Sequence, residues 1–193
     1  MYEKLFSSIR DRVGLADNEA EKIKRFFVPK KMRKRQFLLN AGEVCRYIAF
    51  VEKGMLRSFS VDRQGHEQVV SFACEGWWIS DLSSFLSGDE AVYNIEALED
   101  SELLLLNSES MEEMLTLING MERYFRLLMQ NHIVSLQRRL VASLNYSAED
   151  KYRKLLEINP DIISRAPLQH IASYLGVTPE TLSRIRKQVS KKP

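Results

Sequence analysis

The sequence predicts an α+β chain in three parts: an antiparallel β domain flanked by short helices, one long amphipathic helix, and a helix-turn-helix near the C-terminal end. Three observations carry this. Residues 36 to 106 break into short β-type runs separated by glycine-containing turns every ten residues or so, the texture of an antiparallel sandwich or barrel rather than of parallel βαβ units. Residues 121 to 144 run without proline or glycine and carry an apolar stripe at helical spacing. The stretch "IASYLGVTPETLSRIRK", residues 171 to 187, puts small, turn and apolar residues where two crossed helices need them.

Taken in order, Leu5, Phe6, Ile9 and Val13 fall at spacings of three and four and predict a first helix. "DNEAEKIKRFF" predicts a second, with Asp17 as its N-cap and Pro29 as its stop. The basic run "KKMRKR" (30 to 35) has no interleaved aromatics and is read as decoration on the rim of the sheet that follows. In that sheet "DRQG" (62 to 65) is a hairpin turn in which Gly65 can take positive φ. Asn107 and Ser108 cap the next helix. The long helix then aligns Met121, Tyr124, Phe125, Leu128, Ile133, Leu136, Leu140 and Leu144. At 1.5 Å per residue it spans about 36 Å, more than a small β domain needs as cover, so part of the stripe should meet a second copy of the chain. Ser147 with Asp150 three residues on forms a capping box for a further helix that Pro160 ends, and residues 145 to 147 are a hinge candidate. The expected division is therefore 1–120, 121–145 and 146–193.

In the last part, Ala172 is the small residue where two helices approach, and Gly176 sits four positions later where the turn needs a left-handed residue. Ile171, Leu175, Val177, Leu182 and Ile185 fill the space between the helices. Thr178 caps the second helix, Pro179 suits its first position and Glu180 complements its dipole. With Leu182, Ile185 and Val189 inward, the free side shows Glu180, Thr181, Ser183, Arg184 and Lys187. Such a helix fits the major groove of DNA: Arg184 can donate twice to guanine, and Glu180 can accept from cytosine. Gln169, Thr178, Lys187, Lys191 and Lys192 suit phosphates. Residues 164 to 193 carry six basic residues and one acid, a block at +5, while the rest of the chain is at −3. A basic end on a mildly acidic body points to double-stranded DNA as its partner. An i,i+4 ion pair between Glu180 and Arg184 is the competing use of those two side chains.

Other classes are disfavoured. The opening "MYEKLFSSIRDRVGL" mixes charge into every turn, so no signal peptide, no membrane contact and a cytoplasmic location are expected. Cys45 and Cys74 are too few for a disulfide framework or an iron-sulfur cluster and are expected to be small buried hydrophobes. His66, His132 and His170 lie in three separate elements, without the clustered ligands a metal site needs. No nucleophile elbow, glycine-rich phosphate loop or HExxH is present, so neither an enzyme nor a bound metal or cofactor is expected.

"AGEVCRYIAFVEKGMLRSFSVDRQGHEQVVSF", "GWWISDLSSFLSG" and "IASYLGVTPETLSRIRK" together resemble the CRP/FNR (catabolite-activator type) family of bacterial transcription regulators over nearly the whole chain. The resemblance implies a β-roll of cyclic-nucleotide-binding type, a dimerisation helix and a winged helix-turn-helix. It also implies a homodimer on a near-palindromic site, with RNA polymerase as a further partner. By its motifs, Glu180 and Arg184 fall on base-contacting positions, and Gln169, Thr178 and Thr181 on phosphate-contacting ones. Pro179 stands where an arginine is frequent. In the roll, the family's ligand pocket corresponds to Ser80, Asp81, Leu82, Ala91 and Val92. Asp81 takes the place of a ribose-binding glutamate, and Ala91 and Val92 replace the arginine and serine that hold the cyclic phosphate. A phosphate buried there lacks charge-assisted hydrogen bonds of about 1.5–3 kcal/mol each, so weak or no cyclic-AMP binding is expected. Arg57 or Arg63 is the remaining source of positive charge, and Trp77 and Trp78 are read as core packing. The alternative is the same regulator controlled by a cyclic nucleotide or another small effector in the roll.

Overall fold

The computed structural model describes residues 1–189. The chain opens with α1 (Glu3–Val13) and α2 (Asp17–Lys24). Leu5 and Ile9 are fully buried with Phe6 beside them, as their spacing predicts. The second helix starts one residue earlier than expected. Ala16 stands at the cap and donates its N–H to the Glu19 carboxylate (3.3 Å), which makes Asp17 the first helical residue instead of the N-cap. An acidic residue in the first turn can satisfy the N-terminal backbone without a capping side chain before it.

Among the described residues eight strands follow: β1 (Val28–Met32), β2 (Phe37–Leu39), β3 (Tyr47–Lys53), β4 (Leu56–Val61), β5 (Glu67–Ala73), β6 (Trp78–Ile79), β7 (Asn94–Ala97) and β8 (Ser101–Asn107), with the short helix α3 (Leu82–Ser87) between β6 and β7. They form two antiparallel sheets, ordered β1-β8-β3-β6 and β2-β7-β4-β5. This is the antiparallel sandwich expected, begun one strand early. β1 contains Pro29, read in the sequence as a stop, but β1 is an edge strand paired only with β8, where a residue without an N–H is tolerated. Its flanking cations Lys30, Lys31, Arg33, Lys34 and Arg35 are all exposed, on the rim as foreseen. The 62–65 turn closes with Gly65 N–H donating to Asp62 O (3.1 Å), and Gly65 has φ 86°. Gly54 is fixed by space as well as by φ: a Cβ there would lie 2.8 Å from the Ser101 backbone.

After α4 (Ser108–Leu117), capped by the Asn107 carboxamide accepting from Ser110 N–H (2.7 Å), comes α5 (Met121–Asn145). Leu103 to Leu106 form one continuous buried run, because one face of β8 meets the core between the sheets and the other lies under helices such as α4. α5 begins on the same core. Tyr124 is fully buried, its hydroxyl 2.9 Å from Ser8 Oγ and accepting from Trp78 Nε1 (3.2 Å). Trp78 packs against Phe27, Phe50 and Phe125. Trp77, expected in the core beside it, is instead 41% exposed, since adjacent residues leaving a strand point to opposite sides.

Beyond residue 146 the chain is helical: α6 (Ala148–Ile158), α7 (Pro160–Arg165), α8 (Leu168–Leu175) and α9 (Pro179–Val189). The Ser147 and Asp150 capping box is present as predicted. Pro160 ends α6 but also opens α7, since proline suits a first helical turn. Among the described residues this part contains no strand, so the wing implied by the family resemblance is not among them. Its buried Tyr152, Leu155, Ile162, Ile171, Ala172, Leu175, Leu182 and Ile185 form one cluster with Met55, Phe59, Val69, Phe72, Cys74 and Leu98 of the sheets. No helix among the described residues is long and apolar enough to cross a membrane.

Candidate nucleic-acid interface and effector cassette

α8 and α9 build the turn as their sequence requires. Ala172 is fully buried, Gly176 is left-handed (φ 71°, ψ 36°), and Val177 N–H donates back to Ala172 O at 3.0 Å. Thr178 Oγ1 accepts from Thr181 N–H (3.3 Å), capping α9, and Pro179 is its first residue. Leu182 and Ile185 are buried, which leaves Glu180, Arg184 and Lys187 exposed at i, i+4 and i+7 on one face. Thr181 and Ser183 are half-buried at its flanks, and Gln169 and Thr178 are exposed beside it.

The competing ion pair does not form: Arg184 Nη2 donates to Thr181 Oγ1 (3.2 Å) and makes no bridge to Glu180. Glu180 accepts from its own backbone N–H and from Thr178, which hold its carboxyl below the usual range, so it is ionised at neutral pH. The surface thus offers a guanidinium fork, a carboxylate acceptor and a lysine in the first turns of one helix, the groups that read base edges and hold phosphates. Lys191 and Lys192 lie outside the described residues. His170, next to Gln169, is buried with Nδ1 unpartnered, and burial and the nearby Arg57 lower its pKa, so it is neutral at pH 7.

The structure also brings Ser80, Asp81, Leu82, Ala91 and Val92 together, between β6 and β7. Asp81 is buried, and its carboxylate is fully engaged: Oδ1 accepts from Ser84 N–H (3.1 Å), while Oδ2 accepts from the N–H groups of Val92 (2.9 Å) and Tyr93 (3.2 Å). The backbone donors at the family's phosphate positions are therefore bonded to the protein's own anion. Ala91 is buried and Val92 turns outward, 62% exposed, so neither side chain supplies a donor. Ser80 and Leu82 are half-buried, Leu82 against the core. Arg57 does not reach across. Its Nε and Nη2 donate to Glu96 Oε2 (2.8 and 2.6 Å), its Nη1 to Glu67, and its guanidinium covers the Phe59 ring at 4.0 Å. Arg63 is exposed in the 62–65 turn. With Arg57 paired, the residues between β6 and β7 therefore offer an anion no free side-chain cation and no free Val92 or Tyr93 N–H. Cys45 and Cys74 are buried free thiols, and burial pushes Cys74 up to about 11. The bonds from Val92 and Tyr93 to Asp81 were not legible in the sequence, because these partners lie 11 and 12 residues away.

With this geometry, residues 29–117 match the cyclic nucleotide-binding domain family. Over 191 residues the chain is 25% identical to the fumarate and nitrate reduction regulatory protein of Vibrio cholerae, covering 92% of this chain and 75% of that protein. It is likewise 25% identical to the regulatory protein HlyX of Actinobacillus pleuropneumoniae, covering 92% and 78%. Over nearly its whole length the chain is thus similar to bacterial regulators of the CRP/FNR type. In fold it is similar to FixK2 from Bradyrhizobium japonicum, with a TM-score of 0.74 at 20% identity over 86% of this chain and 85% of that one. It is also similar to the Thermus thermophilus catabolite activator protein, with a TM-score of 0.60 at 18% identity over 96% and 87%. The Vibrio cholerae and Actinobacillus pleuropneumoniae relatives are both regulatory proteins. No group of three or more His, Cys, Asp or Glu residues able to hold a metal occurs among its described residues.

Proposed function

We propose that the protein is a homodimeric, sequence-specific DNA-binding regulator whose roll does not take cyclic AMP. Residues 1–120 are the roll and its flanking helices, 121–145 the dimerisation helix and 146–193 the DNA-binding part. The single observation that supports it best is the exposed row Glu180, Arg184 and Lys187 on a helix whose opposite face buries Leu182 and Ile185. Dimerisation is supported by the far half of α5, where Ile133, Leu136, Leu140, Val141 and Leu144 are all exposed: an apolar stripe with nothing against it in one subunit. Rejection of cyclic AMP is supported by Asp81, whose carboxylate would stand against the incoming phosphate for the same two N–H groups. RNA polymerase is the further partner, and a cytoplasmic location goes with that role.

Fluorescence anisotropy with duplex DNA across a salt series tests the reading. Binding that weakens linearly in log K against log salt supports it, and no salt-dependent binding removes it. A second reading, the same regulator under another small effector, is favoured by one observation. A hollow of about 450 Å³ in the roll is lined by Leu38, Leu39, Val44, Cys45, Tyr47 and Ile95 together with Glu43 and Arg46. Such a lining selects an apolar molecule rather than a nucleotide.

A further inference from the structure

The DNA-reading part is attached to the roll by more than the chain connection at Tyr146. Arg165, the last residue of α7, spreads its guanidinium over two carboxylates of the sheet-connecting turns. Nη1 and Nη2 donate to the two oxygens of Glu75 (2.7 and 2.9 Å), and Nε and Nη2 donate to the two oxygens of Glu99 (3.0 and 2.7 Å). The Glu75 carboxylate also accepts from Gly54 N–H (2.8 Å), which ties the fork to the β3–β4 turn. A second attachment lies on α8, which packs along β5.

 Ser173 Oγ of α8 donates to Glu67 O (2.8 Å) and accepts from Val69 N–H (2.9 Å), filling the open side of β5, the edge strand of its sheet. Next to it Tyr174 is held between the Phe72 ring (centroids 5.3 Å apart) and the Arg139 guanidinium of α5 (4.6 Å). Met55, Phe59, Val69 and Phe72 of the roll are buried in the same cluster as Ile171 and Leu175.

We propose that this dock is what orients the reading helix: Arg165 is a positioning residue, and the docked arrangement is the one that binds DNA. The inference rests on the DNA-binding reading above. In the docked arrangement Glu180, Arg184 and Lys187 all face solvent, so docking occludes none of the reading side chains. A part held only by the Tyr146 connection would sample many orientations, and its apparent affinity for a duplex would fall by the fraction of time spent out of register. The roll thereby acts as the jig for its own reading helix, and any change at the outer face of β4 and β5 is transmitted to DNA affinity.

The test uses the full-length chain with two independent lesions, Glu75→Gln combined with Glu99→Gln, and Ser173→Ala. Three quantities are measured: affinity for a duplex that the wild type binds, dimer mass by sedimentation, and, for the glutamine variant, hydrogen exchange at the Val69 amide. The expected result is a loss of affinity of about tenfold or more in both variants, with dimer mass unchanged and Val69 exchanging faster. Restoring one carboxylate, as in the single variant Glu99→Gln, recovers part of the affinity. Unchanged or increased affinity while Val69 exchanges faster overturns the proposal, since the dock would then open without cost to binding or would oppose it. Unchanged Val69 exchange overturns it too, because the fork would not be holding the dock. A wild-type chain that binds no duplex while Val69 stays protected defeats the DNA reading itself, and the proposal with it.

Discussion

Arg184 and Lys187 share one face of α9 but suit different contacts. Replacing Arg184 with alanine removes a fork that can donate twice to one guanine, so binding to a preferred duplex should weaken by about 1–3 kcal/mol and discrimination at that base pair should collapse. Replacing Lys187 with alanine should weaken all duplexes alike and lower the slope of log K against log salt by about one. Competition between a matched and a scrambled duplex separates the two, and an equal loss on both for Arg184→Ala contradicts base reading by that side chain. At the turn, Gly176→Ala meets open space but keeps a φ of 71°, so its cost should be the backbone term of about 1–2 kcal/mol, read by urea unfolding. These residues were legible in the sequence because turn, cap and apolar spacing all fall within 17 positions. Asp81 was not legible in its actual role: the substitution pattern showed that phosphate donors were missing, but only the fold shows a carboxylate turned onto the remaining N–H groups.

Among the elements, α5 was legible as a helix from its unbroken stripe, and the division of that stripe came from tertiary packing. Met121, Tyr124 and Phe125 are buried on the roll, while Leu140 and Leu144 are 61% and 75% exposed. Leu140→Glu should therefore leave the fold intact and convert a dimer to a monomer in sedimentation velocity, and a dimer that survives it argues against α5 as the seam. β1 and α7 escaped the sequence reading for one reason, that proline was taken as a stop in both. An edge strand and a first helical turn are the two places where its missing N–H is harmless. The ionic fork escaped because Arg165 lies 90 residues from Glu75 and 66 from Glu99. Its pH dependence is specific. Burial raises the Glu75 pKa, but the hydrogen bonds from Arg165 and from backbone N–H groups outweigh it and hold the carboxyl down to about 2, against an ordinary 4.5. A depressed carboxylate stabilises the fold fully above about pH 4.5 and loses that contribution as pH falls toward 2. Wild-type protein should therefore lose more melting temperature between pH 5 and pH 3 than Glu75→Gln does, and equal losses would remove the fork from the stability of the fold.

For the whole molecule, the three parts fit together as in the regulators the chain is similar to. The roll packs the first turns of α5, the far turns of α5 present an apolar seam, and the outer face of β4 and β5 carries the reading helices. Calorimetric titration with cyclic AMP should give no binding heat, because accommodating its phosphate requires Asp81 to release two N–H groups and remain buried without them. A saturable heat at micromolar ligand would refute this. Selection of duplexes from a random pool by the purified full-length chain probes the homodimeric reader most directly. A dimer with α9 in the major groove enriches an inverted repeat whose half-sites are centred about one helical turn, 34–36 Å, apart. Enrichment of a single unpaired half-site, or of no sequence at all, would contradict it.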